Sequence, residues 1–377
     1  MKDSYRSINL KKRIITLDVI RTVAIVLVVA CHSIQQTIPF LGISGDGRQF
    51  VNYPFIKQFV MTAIFILGRT GVPLFLILSG YLMIDRPFTV ASYLKHFLWH
   101  NLLSLLVCFE IWTGLYQIFI YLVFKVHISI KDYLFSFLFL NDKSFQLFSK
   151  YLWHYWYIPA IIGLYLVLPF LANSIVKANK SLLASFLIVS IFFSMIVPDV
   201  NSILEFAKKM QRNTTLSVGL TLSFSAVYFV FGNVLKRGLL KKWTLKWLSI
   251  IGILSFVILV FGSLYINGSF SVSNAPAFCV WYTNPILLIF SLVIFELLTR
   301  IPDSKKLSSF TILSELSLGV YLVHRPIQIL LQKSQLINFN TGVNFLILLV
   351  STLLISYFLV WLISLIPLVK RMLLNIK

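Results

Sequence analysis

The chain has 377 residues, of which 58% are hydrophobic and only 12% charged, with a mean hydropathy of +0.89. Soluble domains carry roughly twice that charged fraction, which excludes a water-soluble globular class. The net charge of +21 sits in short flanks between apolar runs, a distribution that fits anionic lipid as the partner and argues against nucleic acid.

Apolar runs of about twenty residues, the length that crosses a bilayer, recur from end to end. They predict an all-α, polytopic transmembrane bundle of ten spans near 14–38, 63–84, 94–124, 151–172, 181–198, 215–235, 243–266, 276–298, 308–332 and 343–369. One alternating set of flanks holds twenty of the 33 Lys and Arg and the other holds ten; the last three, Arg21, Arg69 and Arg325, lie inside spans. The excess predicts cytoplasmic termini. Residues 1–13 form a basic cytoplasmic flank, 14–369 the membrane domain and 370–377 a cytoplasmic tail. Cys31, Cys108 and Cys279 all fall in apolar segments, a pattern without a disulfide framework or metal cluster. VVAC at 28–31 resembles a lipoprotein cleavage box, but Asp18 and Arg21 break the apolar region such a signal needs.

Span one, LDVIRTVAIVLVVACH at 17–32, carries Asp18, Arg21 and His32. Eleven residues separate Arg21 from His32, so the two share one helix face, about 16 Å apart along the axis. Ionisable groups are costly in a span and point to function; the plainer reading is a snorkelling Arg and a hydrogen-bonded core His. The loop at 39–53, with GISGDG, is expected to be irregular.

Span two, GRTGVPLFLILSGYLMIDRP, places Arg69 in the outer half, a bend at Pro73 and small residues at Ser79 and Gly80 for close helix approach. Span three carries His96 and His100 at metal-ligand spacing, with no third ligand nearby, and a deeper Glu110 that needs a partner. The stretch 126–150 reads as partly amphipathic helix lying on the membrane. YLWHYWYIP at 151–159 is an aromatic cluster suited to an interfacial belt or to stacking on a sugar ring, and His154 lies within it. Glu296 falls near a cytoplasmic span end. Span nine, TILSELSLGVYLVHRPIQILL, has Glu315 in its inner half, His324 and Arg325 in its outer half, and Pro326 loosening the helix after them. No internal repeat of the transporter kind is evident.

Several segments match one family. Arg21 and His32, an Arg and a His separated by ten residues in the first span, reproduce the hallmark of the acyltransferase-3 family of integral membrane acyltransferases, which acylate hydroxyls of carbohydrates and lipid-linked glycans. GVPLFLILSGYLM at 71–83 resembles the family's second-span signature, HYWYIPAIIGLYLVLPFL at 154–171 the segment before its fifth span, and LSLGVYLVH at 316–324 its late His-containing helix. Many members carry an arginine pair after the second-span signature, where only Arg86 follows here; some append an SGNH esterase-like domain, which this sequence does not show.

The resemblance implies an O-acetyltransferase of a bacterial plasma membrane, taking acetyl-CoA from the cytoplasm and acylating a hydroxyl of a cell-surface or lipid-linked glycan. Arg21 would hold CoA phosphates, with Asp18 fixing its rotamer and Arg86 as a second cytoplasmic contact. His32 would act as general base, or as an acyl-His nucleophile. Arg69 and His324 would stabilise the oxyanion or orient the acceptor; Arg325, about 100° round the helix from His324, would not point at the same centre. Trp153, His154 and Trp156 would stack on the acceptor, and no metal is expected. The competing readings are a glycan or lipid transporter and a non-catalytic scaffold. The sequence lacks paired intramembrane carboxylates for proton coupling, and it retains the Arg and His that a degenerate scaffold would lose. Acceptor identity and oligomeric state, a homo-oligomer included, stay open.

Overall fold

The computed structural model describes residues 13–37, 53–127, 129–140, 143–206, 223–270, 281–334 and 342–376, and every regular element among them is helical. Helix α1 is Ile15–Thr37. Then come α2 (Phe55–Arg69), α3 (Gly71–Met83) and α4 (Ala91–Phe124), the last with a π-turn at Leu98–Leu102. Two short helices, α5 (Ile130–Phe137) and α6 (Lys143–Tyr151), lead into a 3₁₀ turn at Trp153–Trp156 and α7 (Tyr157–Lys177). The rest are α8 (180–206), α9 (Phe224–Lys236), α10 (Leu245–Phe270), α11 (Pro285–Thr299), α12 (Ser309–Lys333), α13 (Gly342–Ser364) and α14 (Pro367–Leu374). Eight helical stretches among the described residues are long and apolar enough to cross a bilayer; α9 and α11 are apolar but shorter. The chain is a multi-pass helical membrane protein.

Helix α1 is the centre of the bundle. Seventeen of its 23 residues are buried, and it packs on α2, α3, α11, α12 and α13. Its most apolar window is 72% buried, against 22% for the window in Asn344–Ser364, so α1 is enclosed by protein while α13 presents its side chains outward. That position explains how α1 carries Asp18, Arg21 and His32 without facing them to lipid.

Glycine sets the closest approaches. A Cβ on Gly80 of α3 would lie 1.6 Å from the Phe229 carbonyl oxygen, and one on Gly232 of α9 would lie 2.0 Å from that of Ile77, so α3 and α9 cross backbone to backbone. Gly68 and Gly71 do the same against α1, at Cys31 and at Ala24 and Val28. Beyond the end of α3, Asp85 accepts from Asn233 Nδ2 at 2.6 Å and pairs with Lys236 Nζ at 2.8 Å, tying α3 to α9 a second time. Partial burial pushes the Asp85 carboxyl up, but the bonds from Lys236 and Asn233 outweigh it and hold the group below its ordinary range.

Several boundaries differ from the sequence reading. The second apolar segment starts at Phe55, after Pro54, and is interrupted at Thr70 between α2 and α3. The eighth starts at Pro285, because Asn284 caps it by accepting from the Ile286 and Leu287 amides and Pro285 takes the first-turn position. The tenth ends at Ser364: Pro367 opens α14, which runs back to bury Leu374 against Gly319. The Leu373 carbonyl accepts from Trp112 Nε1 at 2.8 Å, and Asn375 accepts from Ser104 at 2.7 Å, so the segment read as a tail is docked on α4. Pro326 leaves α12 continuous to Lys333. Residues 1–12, the GISGDG loop and Cys279 lie outside the described residues.

The glycine crossing gives a direct test. Gly80→Ala should destabilise the bundle by about 3 kcal/mol or more, because backbone must move to admit the methyl group. Gly163→Ala, where nothing lies within 4 Å of the new Cβ, should leave thermal unfolding in detergent unchanged.

Candidate active site

A parallel seam between α1 and α12 carries the polar groups. At one end, Arg21 Nη1 donates to Ser314 Oγ at 2.9 Å and lies 3.6 Å from Asp18 Oδ1. Asp18 is held chiefly by Arg13, through Nε at 2.6 Å and Nη2 at 3.1 Å, and by Ser314 at 2.9 Å. Arg13 reaches Glu315 as well, at 2.5 Å. The expected Asp18–Arg21 pair therefore exists, but Asp18 is shared, and Arg21 is the cation of the cluster that lines a cavity of about 220 Å³. Ser79, Asn101, Tyr157, Tyr165 and Tyr321 also line it, and Asn375 after α14 closes one side.

At the other end of the seam three histidines meet. His32 Nδ1 lies 2.7 Å from His324 Nε2, with the rings 14° from coplanar. His324 Nδ1 lies 2.6 Å from the Tyr321 carbonyl oxygen. A carbonyl only accepts, so His324 Nδ1 carries the hydrogen and, in the neutral ring, Nε2 has the lone pair. His32 Nδ1 must then donate to it, which leaves the lone pair of His32 on Nε2. The chain Tyr321 C=O, His324, His32 thus sets the tautomer a general base requires.

Around this pair, Trp153 meets His32 edge-on with ring centroids 4.6 Å apart, and His154 lies 4.9 Å from His324 and 6.0 Å from His32. Pro326 has no amide to donate, which frees the Leu322 carbonyl one turn back; Tyr116 of α4 donates to it at 2.5 Å. Tyr321 hydroxyl donates to the His154 carbonyl. Its ring also lines the Arg21 cavity and stands 5.7 Å from His324, so the roof of the cavity is the floor of the histidine cluster.

Two buried arginines stand beside the cluster on different sides. Arg69 donates to Tyr282 hydroxyl at 3.2 Å and lies over the rings of Phe65, Trp281 and Tyr282. Arg325 lies over Trp153, 5.9 Å from its ring centre. The angular argument that set Arg325 aside fails on side-chain length: leaving the helix 100° from His324, the guanidinium still reaches the ring against His32.

The structure thus gathers His32, His324, His154, Trp153 and Arg69 at one end of the seam and Arg21 with Asp18 at the other. Trp156 is one layer out, against Tyr282 at 5.5 Å. Arg86 donates to the Leu82 carbonyl and lines a separate cleft with Asp85 and Asn173. His96 and His100 stack at 4.3 Å, and among the described residues no three or more His, Cys, Asp or Glu side chains are arranged to hold a metal ion. Glu110 has no hydrogen-bond partner, Glu296 pairs with Arg300 at 3.0 Å, and Glu315 faces Arg13. Sequence reasoning did not find Tyr321, Tyr116 and Ser314. Tyr321 acts through its backbone, and the only signal for Tyr116 was the carbonyl that Pro326 leaves unpaired.

The model of the acyltransferase domain family matches residues 14–361, nearly the whole chain. The chain belongs to the acyltransferase-3 family. Comparison with curated proteins and with solved structures gives no match. Membership makes acyl transfer in a membrane the general chemistry of this fold, and the matched region contains both ends of the α1–α12 seam.

The tautomer chain is testable in this family member. His324→Ala removes the acceptor of His32 Nδ1–H without touching Arg21. Turnover should fall about 10²-fold or more, with the KM for the acyl donor within about twofold of wild type. The measurement is transfer of label from the acyl donor in membranes.

Proposed function

We propose that the protein is a membrane O-acyltransferase that moves an acetyl group from cytoplasmic acetyl-CoA to a hydroxyl of a cell-surface or lipid-linked glycan. The observation that carries this reading is the arrangement along one seam: a lining cation, a cavity bounded by the Tyr321 ring, and beyond that ring a His32 whose Nε2 lone pair is fixed by His324 and Tyr321. Arg21, at the cytoplasmic end, holds phosphate oxygens of the donor, since a guanidinium offers bidentate contacts to them. The cavity takes the acyl-bearing arm towards Tyr321.

His32 Nε2 accepts the proton of the acceptor hydroxyl as its oxygen attacks the thioester carbonyl. The C–O bond forms, the C–S bond breaks, and the proton passes from His32 to the leaving thiolate. Arg69 supplies positive charge beside this centre for the oxyanion. Trp153 offers a ring face for a sugar, and His154 and Trp156 extend that aromatic wall. In the family frame Arg86 contributes a cytoplasmic contact from its own cleft. The enclosed position of the histidines among protein helices favours chemistry over carriage: a transporter needs a path open in turn to each side, and Tyr116, Tyr321 and Trp153 close this one with hydrogen bonds and ring contacts.

The first experiment supplies acetyl-labelled acetyl-CoA to membranes with wild-type, His32→Ala or Arg21→Ala protein and follows label into glycan and lipid fractions. His32→Ala should abolish transfer with the protein still folded in the membrane. Arg21→Ala should raise the KM for acetyl-CoA by about tenfold or more, with a smaller change in kcat. An unchanged KM would remove Arg21 from the donor site, and label that enters a glycan equally with His32→Ala would overturn the catalytic assignment.

A further inference from the structure

The charges at the two ends of the seam balance differently. At the Arg21 end, two cations, Arg13 and Arg21, are matched by two carboxylates, Asp18 and Glu315, all linked by contacts of 3.6 Å or less. At the histidine end stand two cations, Arg69 and Arg325, only 3% and 5% exposed, and no carboxylate among the described residues lies within ion-pair distance of either. Both are near enough to His32 for their charge to act on it. A buried cation without a counter-charge is costly, and an enclosed one in a membrane protein expects its anion from a ligand.

We propose that the acceptor carries an anionic group, a carboxylate or a phosphate, close to the hydroxyl that is acylated, and that Arg325 is the residue that selects for it. This rests on the acyl-transfer reading above. Arg69 and Arg325 differ in what already surrounds them. Arg69 is boxed by three aromatic rings and a tyrosine hydroxyl, a setting that spreads its charge over π faces and leaves little room for a bulky anion. Arg325 has one ring, Trp153, and otherwise only neutral amides. Nη1 is 3.4 Å from Gln328 Oε1, and the Gln36 amide, with its oxygen turned to the cation, accepts from Nη1 and Nη2 at 3.0 Å each. In that orientation Gln36 donates to Gln332 Oε1 at 3.2 Å, and Gln328 donates to Ser33 Oγ at 3.0 Å, so both amides are fixed along the seam. The guanidinium is therefore held in place by groups that orient it without neutralising it, and its Nε–H, like that of Arg69, is buried with no partner.

Trp153 joins this cation to the base. One ring touches His32 at 4.6 Å and carries Arg325 at 5.9 Å, and its own Nε1–H is buried without an acceptor. A sugar ring on Trp153, with one hydroxyl at His32 Nε2, would bring an acidic substituent to Arg325 Nε and satisfy both orphaned donors. A neutral sugar leaves the cation uncompensated, and the penalty for that falls on binding of the wrong acceptor.

The test uses the cell that carries this gene, with the gene deleted and restored as wild type, His32→Ala, Arg325→Gln or Arg325→Lys. Envelope glycans are isolated under conditions that keep esters, and the sugar bearing the lost ester is assigned by NMR and mass spectrometry. The ester absent in His32→Ala cells should sit on a uronic or other carboxylated sugar, or on a phosphate-bearing residue; the assignment says which. Arg325→Gln should lower ester occupancy by about tenfold or more, Arg325→Lys should recover most of it, and membranes of both should bind labelled acetyl-CoA within about twofold of wild type. An ester on a neutral sugar with no charged neighbour overturns the inference and leaves the acyltransferase reading intact. So does wild-type occupancy in Arg325→Gln, or an Arg325→Lys as inactive as Arg325→Gln with both present in the membrane at wild-type amounts. If Arg325→Gln does not accumulate, the sugar assignment decides alone. If no ester disappears with His32→Ala, the acyl-transfer reading falls and takes this inference with it.

Discussion

Once a helix is enclosed by other helices, each polar side chain it carries has to be answered from within the bundle, because neither lipid nor bulk water will answer it. Helix α1 meets this constraint through a single neighbour. Along the seam with α12, Arg21 faces Ser314, Thr22 faces the Phe310 carbonyl, His32 faces His324, Ser33 faces Gln328, and Gln36 faces Gln332. The order rises together on both helices, so they run parallel, and the register of one polar pair fixes the next. Glycines at 68 and 71 hold α1 from the opposite side at backbone distance. Helix α1 is thus held by polar partners on α12 and by glycine contacts from α2 and α3.

The same seam divides the protein electrostatically. At the Arg21 end, buried Asp18 is shared between Arg13, Ser314 and Arg21, and half-exposed Glu315 faces Arg13, so the cations there have carboxylates in reserve. The histidine end has no such reserve. His32 and His324 are held by each other and by a backbone carbonyl, neutral partners that keep both rings oriented and leave the cations beside them uncompensated. A carboxylate in place of His324 would orient His32 as well, but it would add a buried negative charge beside it. A backbone carbonyl behind a second imidazole gives the orientation without that charge.

Much of this was legible in the sequence. The apolar runs fall on helices, eight of them long enough to cross a bilayer rather than the ten expected, and the eleven-residue spacing of Arg21 and His32 placed a cation and an imidazole on one face, where the structure finds them joined through α12. Boundaries were misjudged where local chemistry overrides hydropathy: Asn284–Pro285 starts a helix inside an apolar run, and Pro367 ends one. Within the site, periodicity located His324 beside His32 in depth but could not show that they touch, because which faces of two distant helices meet is a tertiary fact. It misjudged Arg325 for a different reason. An angle at the helix axis constrains a short side chain, whereas a guanidinium on a long flexible stem reaches well beyond its own face.

Pro326 shows how one local rule can serve a site at a distance. The ring removes an amide from α12 and leaves the Leu322 carbonyl without its helical donor, a defect that would be costly in a membrane. Tyr116 of α4 fills it, and in doing so fixes α4 against the turn that carries Tyr321 and His324. The Tyr321 carbonyl in that turn takes the His324 hydrogen, and its hydroxyl takes the backbone of His154. The proline read as loosening the helix is therefore what recruits the helix beside it, and the turn it would otherwise weaken is anchored to α4 and to the His154 backbone.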